Sequence, residues 1–291
     1  MERLEVLKTY KLYIGGQFPR TESGRYYTPA GADGKPLGNI CQASRKDFRN
    51  AVVAARSALG GWAVRAAFNR SQILYRIGEM LEGRSAQFAD ELIKQGSTPA
   101  KAKKEVAEAV DRCIYYAGWC DKYQQVFSSV NPVASCHFNF SVYEPVGVVA
   151  AIAPEENPLL ALLETILPVI AGGNTVVILG AEKSPLSSIT LAEVLATSDL
   201  PGGVVNILTG IREELLPFMV NHKDVNAFVA SDLSNDDWKT AKEEAVHNLK
   251  RIIRRKDVIS GPESPYPILE TQEVKTTWHP IESSIAGGSK Y

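Results

Sequence analysis

Residues 147–180, GVVAAIAPEENPLLALLETILPVIAGGNTVVILG, decide the fold. GVVAAIAP (147–154) is a continuous apolar run, the pattern of a strand buried on both faces of a parallel sheet. From Pro158 to Ala171 the apolar residues run long enough for a helix. Gly172 and Gly173 then close it as a C-cap, and NTVVILG is a second buried strand. Downstream the unit repeats, with a helix at 185–197, a strand in GGVVNILTG (202–210), a helix near 212–221 and a strand in VNAFVAS (225–231). Strands alternating with helices at this spacing predict right-handed crossovers and an open parallel sheet: an α/β, Rossmann-like core.

Upstream of this core the pattern is helical. SRKDFRNAVVAARSALGGW opens on a capping-box-like Ser44 and Asp47, and Phe48, Val52, Ala55 and Leu59 follow at helical spacing. Two more helices are expected from Asn69 and Ser85, and a fourth carries Val106, Val110, Cys113, Ile114 and Ala117 as its buried stripe. Ahead of them, residues 10–42 read as short antiparallel edge strands between Gly and Pro turns.

Between 136 and 143 the period becomes two, with Phe138, Phe140 and Val142 on one face and His137, Asn139 and Ser141 on the other: an edge or arm strand. After Ser231 the alternation is expected to stop. SNDDWKTAKEEAVHNLKRIIRRK (234–256) reads as one amphipathic helix with Trp238, Ala241, Ala245, Leu249 and Ile252 buried, acids at its start and bases at its end. SGPESPYP is then a linker, ILETQEVKTTWHPI one extended strand, and ESSIAGGSKY a frayed tail.

The chain has 291 residues, 45% of them hydrophobic, enough for a substantial core. Its 32 Lys and Arg balance 33 Asp and Glu, so no global field recruits nucleic acid or an anionic membrane surface. The charged N-terminus and the lack of a membrane-length apolar run lead us to expect a cytoplasmic protein. Cys41, Cys113, Cys120 and Cys136 form no CxxC pair and read as reduced thiols. Adjacent Cys136 and His137 point to opposite faces of a strand and cannot share a proton, which leaves one packed thiol and one exposed imidazole. His222, after a helix, and His247, within one, lack a second ligand at metal spacing, so no metal site is expected. Glu155 and Glu156, between Pro154 and Pro158, are expected to cap the following helix, whose free N–H groups favour acidic side chains.

LYIGGQF, AVVAARSALGGW, YYAGW, YEPVGVVAAIAP, GGNTVVILGAEKSPLSS, SDLPGGVVNILTG and VKTTW, in this order and rough spacing, resemble the aldehyde dehydrogenase superfamily over nearly the whole chain. ATSDLPGGVVNILTG and TQEVKTTWHP look most like the degenerate second unit of tandem aldehyde dehydrogenases. The resemblance implies a Rossmann-type domain over 1–135 and 144–231 and an oligomerisation β-arm from 136–143 and 265–281. Residues 232–264 would then be a connecting helix and linker. The ELGG-like segment with the family's general base and the GQxC-like segment with its nucleophile do not occur, and every cysteine precedes position 137. No catalytic residue is therefore carried over. An aldehyde oxidation without the thiolate lacks its covalent intermediate.

By the same resemblance the cofactor-binding positions include Ala153, Pro154 and Glu182, the last retained in type where a ribose contact is expected. Glu156 stands where the family places an oxyanion-holding Asn, and Ser231 followed by Asp232 replaces the turn that opens the phosphate-facing helix. A carboxylate at either place opposes bound or developing negative charge. The expectation is a non-catalytic scaffold or regulatory partner without cofactor, assembling with itself or with an active aldehyde dehydrogenase. The alternatives are weak NAD or NADP binding, or dehydrogenase activity completed by a partner chain.

Overall fold

The computed structural model describes residues 6–255 and 263–281. The expected frayed tail from Glu282 onward, residues 256–259 and the first part of the expected linker, 260–262, lie outside the described residues. The chain opens with β1 (Thr9–Tyr10), β2 (Tyr26–Tyr27) and β3 (Asn39–Cys41). They form a small sheet in which β3 runs antiparallel to β2, as expected, but parallel to β1. The helical layer follows as α1 (Arg45–Ala63), α2 (Ala67–Glu82), α3 (Ser85–Lys94), α4 (Pro99–Trp119) and the short α5 (Tyr123–Phe127). α1 starts at the expected capping box: Ser44 accepts the Asp47 N–H while the Asp47 carboxylate accepts the Ser44 N–H. On α4 the buried stripe differs from the sequence reading. Ile114 is exposed, while Glu105 and Tyr116 face inward.

Strands β4 (Ser129–Asn131) and β5 (His137–Pro145) precede the core, which runs β6 (Val148–Ile152), α6 (Pro158–Ala171), β7 (Thr175–Leu179), α7 (Leu186–Ala196), β8 (Val205–Leu208), α8 (Arg212–Asn221), β9 (Ala227–Ala230), α9 (Asn235–Ala245) and β10 (Arg251–Arg254). The five strands are all parallel in the order β10-β9-β6-β7-β8. The α/β Rossmann-like architecture is thus as the repeat predicts, with one more strand. Alternation does not stop at Ser231: the expected single helix over 234–256 ends at Ala245, and residues 251–254 pair with 227–230 as the sheet's edge. His247 accordingly lies in the turn after α9, and Leu249 is exposed rather than buried.

Burial on both faces makes the central strands uniformly apolar. Val149, Ala151, Val176 and Ile178 pack into the core shared with α2, α4, α6 and α7, whereas Val148, Ala150, Ile152 and Val177 face α1, α8 and α9. At the start of β6, Gly147 has φ +129°, and a Cβ there would run into the side-chain amide of Asn226, which accepts the Val148 N–H at 3.0 Å. From β6 the chain winds outward through β7 to β8, then crosses back to place β9 on the other side of β6. The direction therefore reverses between β6 and β9, and the carboxyl ends of those strands flank a switch-point crevice, the usual ligand position in an open α/β sheet.

The end of the chain returns to the arm. Residues 266–270 are helical (α10, Tyr266–Glu270), where the end of a linker and the start of a strand were expected, and β11 (Gln272–Pro280) then pairs antiparallel with β5 from Gln272↔Pro145 to Pro280↔His137. With β4 they form a separate sheet of order β11-β5-β4. Arg255, at the end of β10, anchors this return by donating to the Glu270 carboxylate at 2.7 Å and to the Glu164 carbonyl at 3.0 Å.

Candidate functional site

Four helices, α6 to α9, begin at the carboxyl edge of the sheet, and each leaves N–H groups without an intrahelical partner. In a nucleotide-binding fold these groups face phosphate. Here each helix start is occupied from within the chain. At α6 the Glu105 carboxylate of α4 accepts the Leu159 and Leu160 N–H groups at 2.8 and 3.3 Å. At α7 the Gln95 side-chain Oε1 accepts the Leu186 N–H at 2.9 Å, and at α8 the Glu182 carboxylate accepts the Arg212 N–H at 2.9 Å. At α9 the Ser234 hydroxyl accepts the Asp237 N–H at 3.0 Å.

Glu155 and Glu156 do not cap α6, contrary to the sequence reading. The helix begins after Asn157, held at φ +47° without a side-chain cap, and Glu105 takes the position they were expected to fill. Burial pushes the Glu105 carboxyl above its ordinary range, against the pull of the two N–H donors. Glu156 is exposed, while Glu155 turns across the crevice. Its carboxylate accepts the Glu182 N–H at 2.9 Å and the Lys183 N–H at 3.1 Å, tying the loop after β6 to the loop after β7.

Arg212 closes the other side. Its guanidinium lies 3.4 Å from both the Glu155 and Asp232 carboxylates and donates to the Ala153 carbonyl at 3.3 Å. Asp232 in turn accepts the Glu155 N–H at 3.2 Å, directly across the crevice. Loops following β6, β7, β8 and β9 are therefore laced together by Glu155, Glu182, Arg212 and Asp232. Of these, sequence reasoning singled out Glu155, Glu182 and Asp232, assigning none of these contacts. It missed Arg212 and Glu105, because a lone Arg at a helix start and an acid in a helical stripe carry no local signal for partners far along the chain.

The positions tied to a cofactor by resemblance sit at this edge. Ala153 and Pro154 are buried at the end of β6, with the Ala153 N–H donating to the Leu179 carbonyl at 2.9 Å. Glu182 is half-buried, its carboxylate committed to α8 and its carbonyl accepting the Tyr27 hydroxyl at 3.2 Å. A dinucleotide brings a pyrophosphate to such an edge. The residues present do not fit it: two carboxylates border the switch point, the N–H groups after β7 are taken by Glu155, and Arg212 is held by two acids. The Ser231 hydroxyl after β9 and the Ser187 and Ser188 hydroxyls in the first turn of α7 are buried without a partner.

Cys41, Cys113 and Cys120 are buried, and burial pushes the Cys113 and Cys120 thiols up to about 12, so neither supplies a thiolate near neutral pH. The expected packing at the arm is reversed: Cys136 is the exposed member, while His137 is half-buried with its ring edge-on to Trp278 at 5.8 Å. Among the described residues there is no group of three potential metal ligands, and no helix long and apolar enough to cross a membrane.

Residues 19–252 match the sequence profile of the aldehyde dehydrogenase family. An aldehyde dehydrogenase of Aspergillus niger is 33% identical over 227 residues, covering 76% of this chain and 45% of that protein. The cytosolic 10-formyltetrahydrofolate dehydrogenase of Mus musculus is 30% identical over 258 residues, which is 87% of this chain and 29% of the relative. Among solved structures, the NAD+ complex of an aldehyde dehydrogenase from Bacillus cereus superposes with a TM-score of 0.79 at 28% identity over 84% of this chain and 50% of that one. The chain thus spans half or less of the length of these relatives.

Proposed function

The chain belongs to the aldehyde dehydrogenase family, and we propose that it is a non-catalytic member acting as a scaffold or regulatory partner that assembles through its β-arm. The observation that carries this reading is the self-occupied crevice. Glu155, Glu182, Arg212 and Asp232 spend on one another the groups that would meet a dinucleotide, and two are acids where a pyrophosphate would lie. Oxidation of an aldehyde would further need a thiolate to attack the carbonyl, a base for water and a hydride acceptor. The two thiols on α4 and after it are buried and protonated, and Cys136 belongs to the arm.

The arm supports the assembly half of the proposal. β11 lies at the edge of its sheet and is exposed along most of its length, with Val274 and Trp278 presenting apolar surface. A long edge strand of this kind takes a further strand from a partner. The partner is a second copy or an active aldehyde dehydrogenase, and the similarity to the degenerate second unit of tandem aldehyde dehydrogenases is part of the same proposal. Light scattering at micromolar concentration tests it: we expect a dimer or larger, and a strict monomer with no aldehyde dehydrogenase recovered in a native pull-down overturns it.

A second reading, residual NAD or NADP binding or activity completed by a partner chain, is favoured by the intact five-stranded sheet and by the retained Glu182. Aldehyde-dependent NADH formation by the pure chain, or by its complex with a partner chain that forms none alone, would decide for it.

A further inference from the structure

At the end of α8 away from the crevice, α1 and α8 flank a solvent-open cavity of about 520 Å³ lined by Arg45, Phe48, Arg49, Phe218, His222 and Lys223. The ten residues of α8 put it about 15 Å from the helix start at Arg212, at a rise of about 1.5 Å per residue. Arg45, Arg49 and Lys223 are exposed and, among the described residues, none is in an ion pair. Nearby cations are spoken for: Lys46 by Glu22 at 2.7 Å and Arg56 by Asp224 at 2.8 Å. The chain as a whole is close to neutral, so this concentration of cations is local.

The C-terminus of α8 should bring negative carbonyl charge to this place. Buried Lys250 cancels it, its ammonium donating to the Val220 carbonyl and, at 2.9 Å, to the His222 carbonyl. The carboxylates around the cavity are likewise engaged, Asp224 with Arg56 and Glu244 with the Asn221 amide. The walls are aromatic: the Arg45 guanidinium lies 5.0 Å from the Phe218 ring centre, and the His222 ring stands edge-on to Phe48 at 5.7 Å. His222 Nδ1 accepts the Asp224 N–H at 3.2 Å, which leaves Nε2 to carry the ring proton in the neutral form.

We propose that this cavity binds a small phosphorylated molecule, its phosphate held by Arg45, Arg49 and Lys223 and its body against Phe218 and the His222 ring. Guanidinium groups suit phosphate because their planar donors match its oxygens, and the cavity falls within the size range of small-molecule sites. The site is separate from the crevice and does not depend on the proposed function.

His222 reports on it. Burial, assisted by the Lys250, Arg45 and Arg49 charges and opposed by Asp224, holds its imidazole below the usual range. An anion bound among these cations offsets them and raises the His222 pKa. The test is NMR of the histidine ring protons in the full chain, with His222 assigned through His222→Gln. Pyrophosphate and phenyl phosphate are titrated, with sulfate at matched ionic strength as control.

We expect a saturable shift of the His222 signal below about 1 mM phosphate ligand. In Arg45→Gln/Arg49→Gln the affinity should fall at least tenfold, and neither Lys46→Gln nor Arg212→Gln should change it. A non-saturating shift, a response to sulfate as strong as to pyrophosphate, or unchanged affinity in the double variant overturns the proposal. If His222→Gln does not fold, calorimetric titration of pyrophosphate into wild type and the double variant measures the same loss of affinity, and equal affinities overturn the proposal.

Discussion

Replacing Arg212 by Ala removes the cation that contacts both the Glu155 and Asp232 carboxylates across the crevice. At 3.4 Å each pair has a gross attraction of about 5 kcal/mol at an effective dielectric constant of about 20. The net is far smaller, because the Arg212, Glu155 and Asp232 side chains remain 18%, 27% and 35% exposed and were partly solvated before the change. Exposed pairs contribute about 0.2–1 kcal/mol, whereas breaking a buried pair costs about 3–5. This network lies between, so Arg212→Ala should destabilise by about 2–3 kcal/mol, with Glu155 and Asp232 then facing each other unscreened. For a chain of this size that lowers Tm by about 4–10 °C. Urea unfolding of wild type, Glu155→Gln, Arg212→Ala and the double variant measures it. The double variant should lose at least about 1 kcal/mol less than the sum of the singles, because the pair is lost only once. A loss below about 0.5 kcal/mol, or additive singles, would show that the crossing contacts do not hold the crevice shut.

Glu105→Ala should cost about 1–2 kcal/mol in the same assay by uncapping α6 within the core, with Glu105→Gln retaining part of the cap. Burial raises the folded-state pKa of Glu91, Glu105 and Glu164 above the unfolded values. The native state therefore binds more protons, and stability from these groups should rise as pH falls toward the ordinary carboxylate range and be lost as pH climbs through the raised values. Glu91→Gln, at a carboxylate with one oxygen buried unpaired, should flatten that slope in a Tm-versus-pH series. Lys250 titrates with the opposite sense: burial lowers its folded-state pKa from 10.5 to about 8, so stability should increase with pH between about 8 and 10.5, and the increase should vanish in Lys250→Met.

The apolar runs at 147–154, 174–180, 202–210 and 225–231 were legible because a strand covered on both faces must be apolar throughout. The fifth strand was not. In β10 only Ile253 is buried, and an exposed arginine stands at each end of the strand, so the edge strand has the composition of a solvated helix end. The break in the preceding helix shows at Leu249, where the expected apolar stripe turns out to solvent. Arm pairing between 137–145 and 272–280 was legible from the period of two and the family resemblance. The crevice was legible only as a set of departures, because its contacts are long-range: a reading that caps a helix with the nearest acid chose Glu155 and Glu156, whereas the cap comes from Glu105, 54 positions earlier than Leu159. Glu155 was then free to take the N–H groups of the next loop, which no local pattern encodes.

Isothermal titration of NAD and NADP into the full chain tests the self-occupied crevice most directly. With Glu155 and Asp232 bordering the switch point and Arg212 already paired, neither cofactor should give saturable heat up to millimolar concentration, and neither should raise Tm. Binding at a micromolar Kd, which at a hundredfold excess over that Kd would stabilise the fold by about 2.7 kcal/mol, would contradict it.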